Sequence, residues 1–305
     1  MEKHRKKLIK NAAVFDGHSS GLAQGKKIVI EDDIVTEITA DEVSEENFDE
    51  VFDGTGMVAM PGMTDAHVHM GCLFAKGEFP VDYATVLTVA KCKDALMAGF
   101  TTFRDAGSVS EGLKLAFDEG VLPGPRIYPC GAYISQTCGH GDSEYAHTYR
   151  DIQYRHPSST VLADGVPEII RAVREQFYRG ASHIKLMATE ILNRHEDIRL
   201  LFGTDMMITG PDYQVEQSED IRYYEKRFGT MRALRALTGT ANEVFALTTY
   251  QNPYQKGKIG VLEAGSYADL LLVDGDPTKS VSVLADTDHL RLIMKGGTVY
   301  KNTLC

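Results

Sequence analysis

At 305 residues the chain is long enough for one large domain or two ordinary ones, and its 43% apolar and 25% charged content is that of a soluble globular protein. A net charge of −11 argues against a nucleic-acid partner, which calls for a basic patch. No apolar run approaches the roughly 18–20 residues of a membrane span, and the basic start Met1–Lys10 leads into no apolar stretch of signal-peptide length.

The five cysteines, Cys72, Cys92, Cys130, Cys138 and Cys305, are odd in number and lack Cys-x-x-Cys spacing. They read as free thiols of a reducing compartment, so the expected location is the cytoplasm. Cys138 sits in a glycine-rich loop, where a small loop filler is a plainer reading than a reactive thiol.

Residues 8–60 alternate short apolar runs with turn residues, the pattern of a β-meander. Lys27–Asp33 and Ile34–Ile38 are examples. Tyr83–Ala98 has helical apolar spacing and stops at Gly99. Thr101–Gly107 reads as a short strand, and Ser108-x-x-Glu111 is a capping box for a helix that ends near Gly120. Arg126–Ile134 is a further strand. Asp164 can cap a helix with the stripe Ile169, Ile170, Val173 and Phe177 and a C-terminal Gly180. His183–Thr189 follows as a strand, then Leu200–Asp205. Gly257–Leu262, Ala268–Gly275, Leu290–Met294 and Thr298–Tyr300 return to the short β style of the N-terminus. Residues 1–60 and 255–305 are therefore expected to share one small β-sandwich domain, since chain termini often lie close together.

Strand and helix alternate through the middle, which argues for a parallel α/β architecture with its chemistry at the C-terminal strand ends. The apolar run Gly56–Met60 leads into Pro61-Gly62-Met63-Thr64-Asp65-Ala66-His67-Val68-His69. Side chains at i and i+2 of a strand share a face, so both imidazoles can reach one point. Imidazole is the commonest neutral metal ligand near neutral pH, although a bare His-x-His pair is more often just two surface histidines. Asp105, Lys185 and Asp205 are further polar groups at strand ends. Taken alone, Lys185 reads better as a lysine paired to an acid, and Asp205 reads equally well as a turn cap. Asp105 suits a structural hydrogen bond to the next loop. His140, in Gly139-His140-Gly141-Asp142, could face a substrate or structure its loop, and His183 is an outside candidate.

The stretches "PGMTDAHVHM", "AGFTTFRDAG", "ISQTCGHGD", "ADGVPEIIRAVREQFYRGASHIKLMAT", "LLFGTD" and "GVLEAGSYADLLLVDGDP" occur in this order across most of the chain. Together they resemble the amidohydrolase superfamily, in its branch of imidazolonepropionase-related proteins and Xaa-Pro or Xaa-Arg/Lys-type dipeptidases. The resemblance implies a (β/α)8 barrel over residues 61–254 beside the β-sandwich. It implies two zinc ions held by His67, His69, Lys185 and Asp205, with Lys185 carboxylated so that it bridges them. It also implies that Asp205 is the catalytic base and that the substrate is a dipeptide or other small amide; His140, on the loop after the third barrel strand, stays open between facing the substrate and structuring its loop. An ammonium cannot ligate a cation, whereas a carbamate is an oxygen anion suited to zinc.

The chain departs from that pattern in one place. The family also uses histidines from the fifth and sixth barrel strands. Only ten residues separate Thr189 from Leu200, while one βαβ unit needs about 30. About five barrel strands are expected, in a barrel truncated near residues 190–191. Closing it calls for distortion or a partner, which leaves a homo-oligomer open. His195 is a weak substitute ligand, since it precedes a strand. Three readings follow: an active metal-dependent amidohydrolase, an inactive internally deleted relative, and a one-metal cyclic-amide hydrolase or deaminase. Lys185 counts against the third.

Overall fold

A computed structural model describes residues 5–70, 81–107, 111–139, 141–142, 160–186, 199–207 and 213–304. The chain opens with strands β1 (Lys6–Lys10), β2 (Ala13–Val14), β3 (Lys27–Glu31), β4 (Ile34–Thr39), β5 (Glu50–Asp53), β6 (Val58–Pro61) and β7 (Met63–His69). Helices then alternate with strands: α1 (Val81–Met97), β8 (Phe100–Asp105), α2 (Glu111–Asp118), β9 (Arg126–Tyr128), β10 (Tyr133–Ser135), β11 (Thr160–Leu162) and α3 (Val166–Tyr178). After β12 (Met206–Met207) come α4 (Tyr213–Phe228), α5 (Thr230–Leu237) and α6 (Gly239–Ala246). The strands β13 (Leu270–Val273), β14 (Leu290–Lys295) and β15 (Thr298–Asn302) complete the order. No described helix is long and apolar enough to cross a membrane.

The two ends of the chain build two sheets. One has the order β4-β3-β1-β5 and the other β15-β14-β13-β6-β2, so strands from both termini share the second sheet. Only β1, β3 and β4 form the expected antiparallel meander. Strand β5 returns parallel to β1, and β2 and β6 leave for the other sheet. The β13 sequence Leu270-Leu271-Leu272-Val273 has no polar residue because both faces of its sheet are covered. Leu270 and Leu272 pack with Ile9, Ile28 and Phe52 of the first sheet, while Leu271 and Val273 face the helical layer. Residues 257–262 form no strand, and only Lys258 bridges to Ser266. Gly257 and Gly260 interrupt that run, and the backbone turns back at Glu263–Ser266.

The central sheet has the order β12-β7-β8-β9, with every pairing parallel. Val68, Phe103 and Ile127 bury against Cys92 and Leu96 of α1, Phe117 of α2 and Leu234 of α5. Beyond β9, β10 pairs parallel with β11, and Ile134 bridges Leu186. A small core of Ile134, Ala163 and Ala172 lies beneath α3, with Ile169 and Val173 packed on it.

The three helices expected from the sequence are present with two differences, and α4, α5 and α6 come in addition to them. Helices α1 and α3 stop at Gly99 and Gly180, both in left-handed conformation. Asp164 does not cap α3; Gly165 holds that position, and the Asp164 carboxylate accepts the Thr137 N–H instead. Ile170 is exposed and drops out of the apolar stripe. The capping residue Ser108 lies outside the described residues, as do residues 190–191 and His195. The Lys185 segment contributes one bridge at Leu186, and residues 187–189 are likewise outside.

Candidate metal centre

His67 and His69 end the strand at the middle of the parallel sheet, flanked by β8 on one side and β12 on the other. The register between β7 and β8 shifts between Asp65 and Val68, leaving one extra residue on β7. Such a bulge re-aims side chains at a strand end, and here it takes in Ala66 and His67, just before His69. Their rings lie 5.4 Å apart, centre to centre.

Asp205 reaches them from the segment that precedes β12. The Ala66 N–H donates to the Phe202 carbonyl at 2.8 Å, and the Asp205 N–H donates to the His67 carbonyl at 2.7 Å. Residues 202–205 thus lie along β7 before the regular pairing of Met206 with Val68 begins. The approach is close enough that a Cβ on Gly203 would sit 2.7 Å from the His67 Cβ. Asp205 itself adopts a left-handed φ of 55°, which aspartate tolerates better than most residues.

The ligand atoms converge. Asp205 Oδ1 lies 2.9 Å from His67 Nε2 and 3.2 Å from His69 Nε2. These three residues offer ligand atoms that all lie within 4.8 Å of one another. Lys185 Nζ is 2.8 Å from His67 Nε2. All four sequence-predicted ligands therefore lie around His67, with Lys185 reaching its imidazole from a segment outside the central sheet.

The chemistry of this donor set fits a divalent cation. Burial pulls the His67 imidazolium down to about 4, with Lys185 acting in the same direction and Asp205 opposing both. His67 is therefore neutral near pH 7. Its single Nε2 cannot offer a lone pair to the Lys185 ammonium and a proton to the Asp205 carboxylate together. A cation among His67 Nε2, His69 Nε2 and Asp205 Oδ1 would turn that crowding of lone pairs into coordination. Two nitrogens and one oxygen are a ligand set that zinc accepts. Asp205 is the open side of the group, its side chain 68% exposed, while that of His69 is 10% exposed.

The other candidates fall outside the cluster. The Asp105 carboxylate is buried and accepts the Met70 N–H at 3.0 Å, the structural role read from its position. His183 has Ser182 Oγ 3.1 Å from Nδ1 and the Asp105 carbonyl 3.1 Å from Nε2; burial takes its imidazolium to about 3. Both ring nitrogens are occupied, which assigns His183 to the framework beneath the site. His140 lies outside the described residues. Its neighbours fold the loop back on β10, with the Gly141 N–H donating to Ser135 Oγ and the Cys138 N–H to Asp142.

Two residues next to the ligands escaped the sequence reading. Asp65 is fully buried, and burial lifts its carboxyl to about 6 against the four hydrogen bonds it accepts from His67, Thr204 and Gln217. Thr204 supplies two of those donors. Their adjacency to His67 and Asp205 was the available signal.

A parallel α/β sheet that assembles two imidazoles and a carboxylate at its strand ends, with a lysine beside them, defines a class, the α/β proteins with a metal-compatible centre at the ends of parallel strands. Residues 58–197 match the amidohydrolase family. The chain is 34% identical over 152 residues to an ochratoxinase of Aspergillus niger, a stretch covering 43% of this chain and 31% of that protein. It is 39% identical over 176 residues to an imidazolonepropionase of Picrophilus torridus, covering 53% of this chain and 43% of that one. The chain thus spans less than half the length of either curated relative. Among solved structures, a prolidase complexed with N-methylphosphonate-L-proline superposes with a TM-score of 0.82 at 22% identity, over 97% of this chain and 100% of that one. The fold is accordingly that of the TIM-barrel-type amidohydrolases.

Proposed function

We propose that this chain is a metal-dependent hydrolase of a C–N bond, acting on a dipeptide or another small amide. One observation carries the reading: His67 Nε2, His69 Nε2 and Asp205 Oδ1 meet at one point at the end of a parallel sheet. The ions would be zinc, two in number, with His67 and His69 holding one. Lys185, once carboxylated, would turn from a cation beside His67 into an oxygen donor for both. When bound, such ions supply Lewis acidity, polarising the scissile carbonyl and acidifying a water.

The work of the chain's own groups follows from their placement. His67, neutral near pH 7, and His69 hold and orient. Asp205 has a free approach from solvent and lies against both rings, so its carboxylate accepts the proton of the attacking water and returns it to the leaving nitrogen. The prolidase neighbour and the peptide-like ligand in its structure support a dipeptide as the substrate class. The sheets built from both termini, sharing the core around Ile9, Leu270 and Leu272, support a domain split into residues 1–60 with 255–305 and residues 61–254.

Measurement of bound metal by elemental analysis, with assays of dipeptides and N-acyl amino acids in added zinc, tests the reading. Stoichiometric metal with turnover is expected. No retained metal and no turnover would overturn it. A second reading, an internally shortened and inactive relative, is supported by the ten residues between Thr189 and Leu200. Metal retention without turnover of any amide would favour it.

A further inference from the structure

Asp65 is neither a ligand nor exposed, yet both its carboxylate oxygens are engaged with the ligand-bearing backbone. Oδ1 accepts the His67 N–H at 3.2 Å and the Thr204 N–H at 3.3 Å. Oδ2 accepts the Thr204 hydroxyl at 2.9 Å and Gln217 Nε2 of α4 at 3.2 Å. The circuit closes through the Asp205 N–H, which donates to the His67 carbonyl at 2.7 Å. A carboxylate serving only the fold could satisfy donors anywhere in the core. Three of these four belong to His67 itself or to the residue before Asp205.

We infer that Asp65 is the positioning residue that fixes the distance between the β7 imidazoles and the Asp205 carboxylate, acting through Thr204. This rests on the metal reading above. The bulge between Asp65 and Val68 loosens β7 where the ligands lie, and the left-handed Asp205 is held by few regular pairings. Asp65 spans both weak points. These four donors are neutral, and they match the buried carboxylate with hydrogen bonds that a shorter or apolar side chain cannot make.

Titration of the purified chain with cobalt(II), followed by the visible d–d absorption band, reads the geometry directly without any assay of turnover. Asp65→Asn and Thr204→Val are each expected to weaken cobalt binding by about 10–100-fold, the usual effect of losing a group that orients a ligand, and to shift the band. Thr204→Ser, which keeps the hydroxyl, is expected to bind as the wild type does. Thr204→Val loses one hydrogen bond to a buried carboxylate and should lower the metal-free Tm by a few degrees while still folding, so Thr204→Val decides the matter if Asp65→Asn does not fold. Unchanged cobalt affinity and band in Thr204→Val would overturn the inference while leaving the metal reading intact, as would a Thr204→Ser variant as impaired as Thr204→Val. A wild-type chain that binds no cobalt would overturn both.

Discussion

Asp205 Oδ1 and His69 Nε2 lie 3.2 Å apart although 136 residues separate them in sequence. Parallel pairing of β12 with β7 makes that contact, placing Met207 opposite His69. The pairing brings the carboxylate to the imidazoles from outside β7, on an exposed residue that follows the buried Phe202. Asp205→Asn keeps the shape and the tolerance for a left-handed φ, and it removes the base together with the anionic metal ligand, so metal content is measured beside kcat. The expected result is a loss in kcat of about 10²–10⁴ with little change in Tm. Steady-state kinetics with the preferred amide and a thermal scan check it; a kcat within threefold of wild type would remove Asp205 from proton transfer.

Lys185 gives a second expectation. Its Nζ lies 2.8 Å from His67 Nε2, where an ammonium would repel a cation and a carbamate would bind one. Protein stripped of metal and carbon dioxide should regain less metal and less activity than protein treated with zinc and bicarbonate together. Lys185→Ala should show no bicarbonate response. A Lys185→Ala variant with full activity would exclude the carbamate role.

The residues that were legible in the sequence are those whose signal is local. His67 and His69 follow from strand periodicity, and Gly99 and Gly180 mark helix ends because a left-handed residue is needed there. The role of Asp65 depends on Thr204 and Gln217, 139 and 152 residues away, and no spacing rule links them. Asp164 has the right side chain to cap α3, but tertiary contact with Thr137 claimed it. The parallel return of β5 onto β1 was hidden for the same reason. Two β strands near in sequence look alike whether they pair as a hairpin or across another strand.

The central sheet and the terminal sheets are joined by a buried ion pair whose loss should be costly. Arg126 of β9 meets Asp269, just before β13, through Nε at 2.7 Å and a second nitrogen at 3.2 Å. Asp269 also accepts the Gly296 N–H at 2.7 Å, and the guanidinium lies 3.9 Å from the Tyr267 ring centre. Asp269→Ala leaves a buried guanidinium without its counter-charge, which costs about 3–5 kcal/mol. Urea unfolding measures it, and a loss below about 1 kcal/mol would put the pair on the footing of an exposed one. Arg126→Met combined with Asp269→Leu should recover part of the loss, because neither charge is then stranded.

Lys295 supplies a pH dependence independent of the candidate metal centre. Its side chain is buried and donates to the Gly124 carbonyl at 2.6 Å and the Phe117 carbonyl at 3.4 Å. Burial pulls its ammonium down to about 8, against the opposing pull of Asp269. In the unfolded chain the same group titrates near its ordinary value of about 10.4. Between those values the unfolded chain holds a proton that the folded chain has released, so folding stability rises with pH across that window. Below about pH 8 both states are protonated and the folded state carries the whole cost of burial. Burial also raises the Tyr128 and Tyr254 hydroxyls, which lowers stability once unfolded tyrosines ionise near pH 10, so the clean window is pH 8 to 10. From pH 8 to 10 the wild type should gain about 2 kcal/mol relative to Lys295→Met, at roughly 1.4 kcal/mol per unit of proton linkage. Paired urea titrations at half-unit steps give that difference. Parallel pH profiles for the two proteins would show that the folded chain keeps the Lys295 proton throughout, held by the Gly124 and Phe117 carbonyls against the cost of burial.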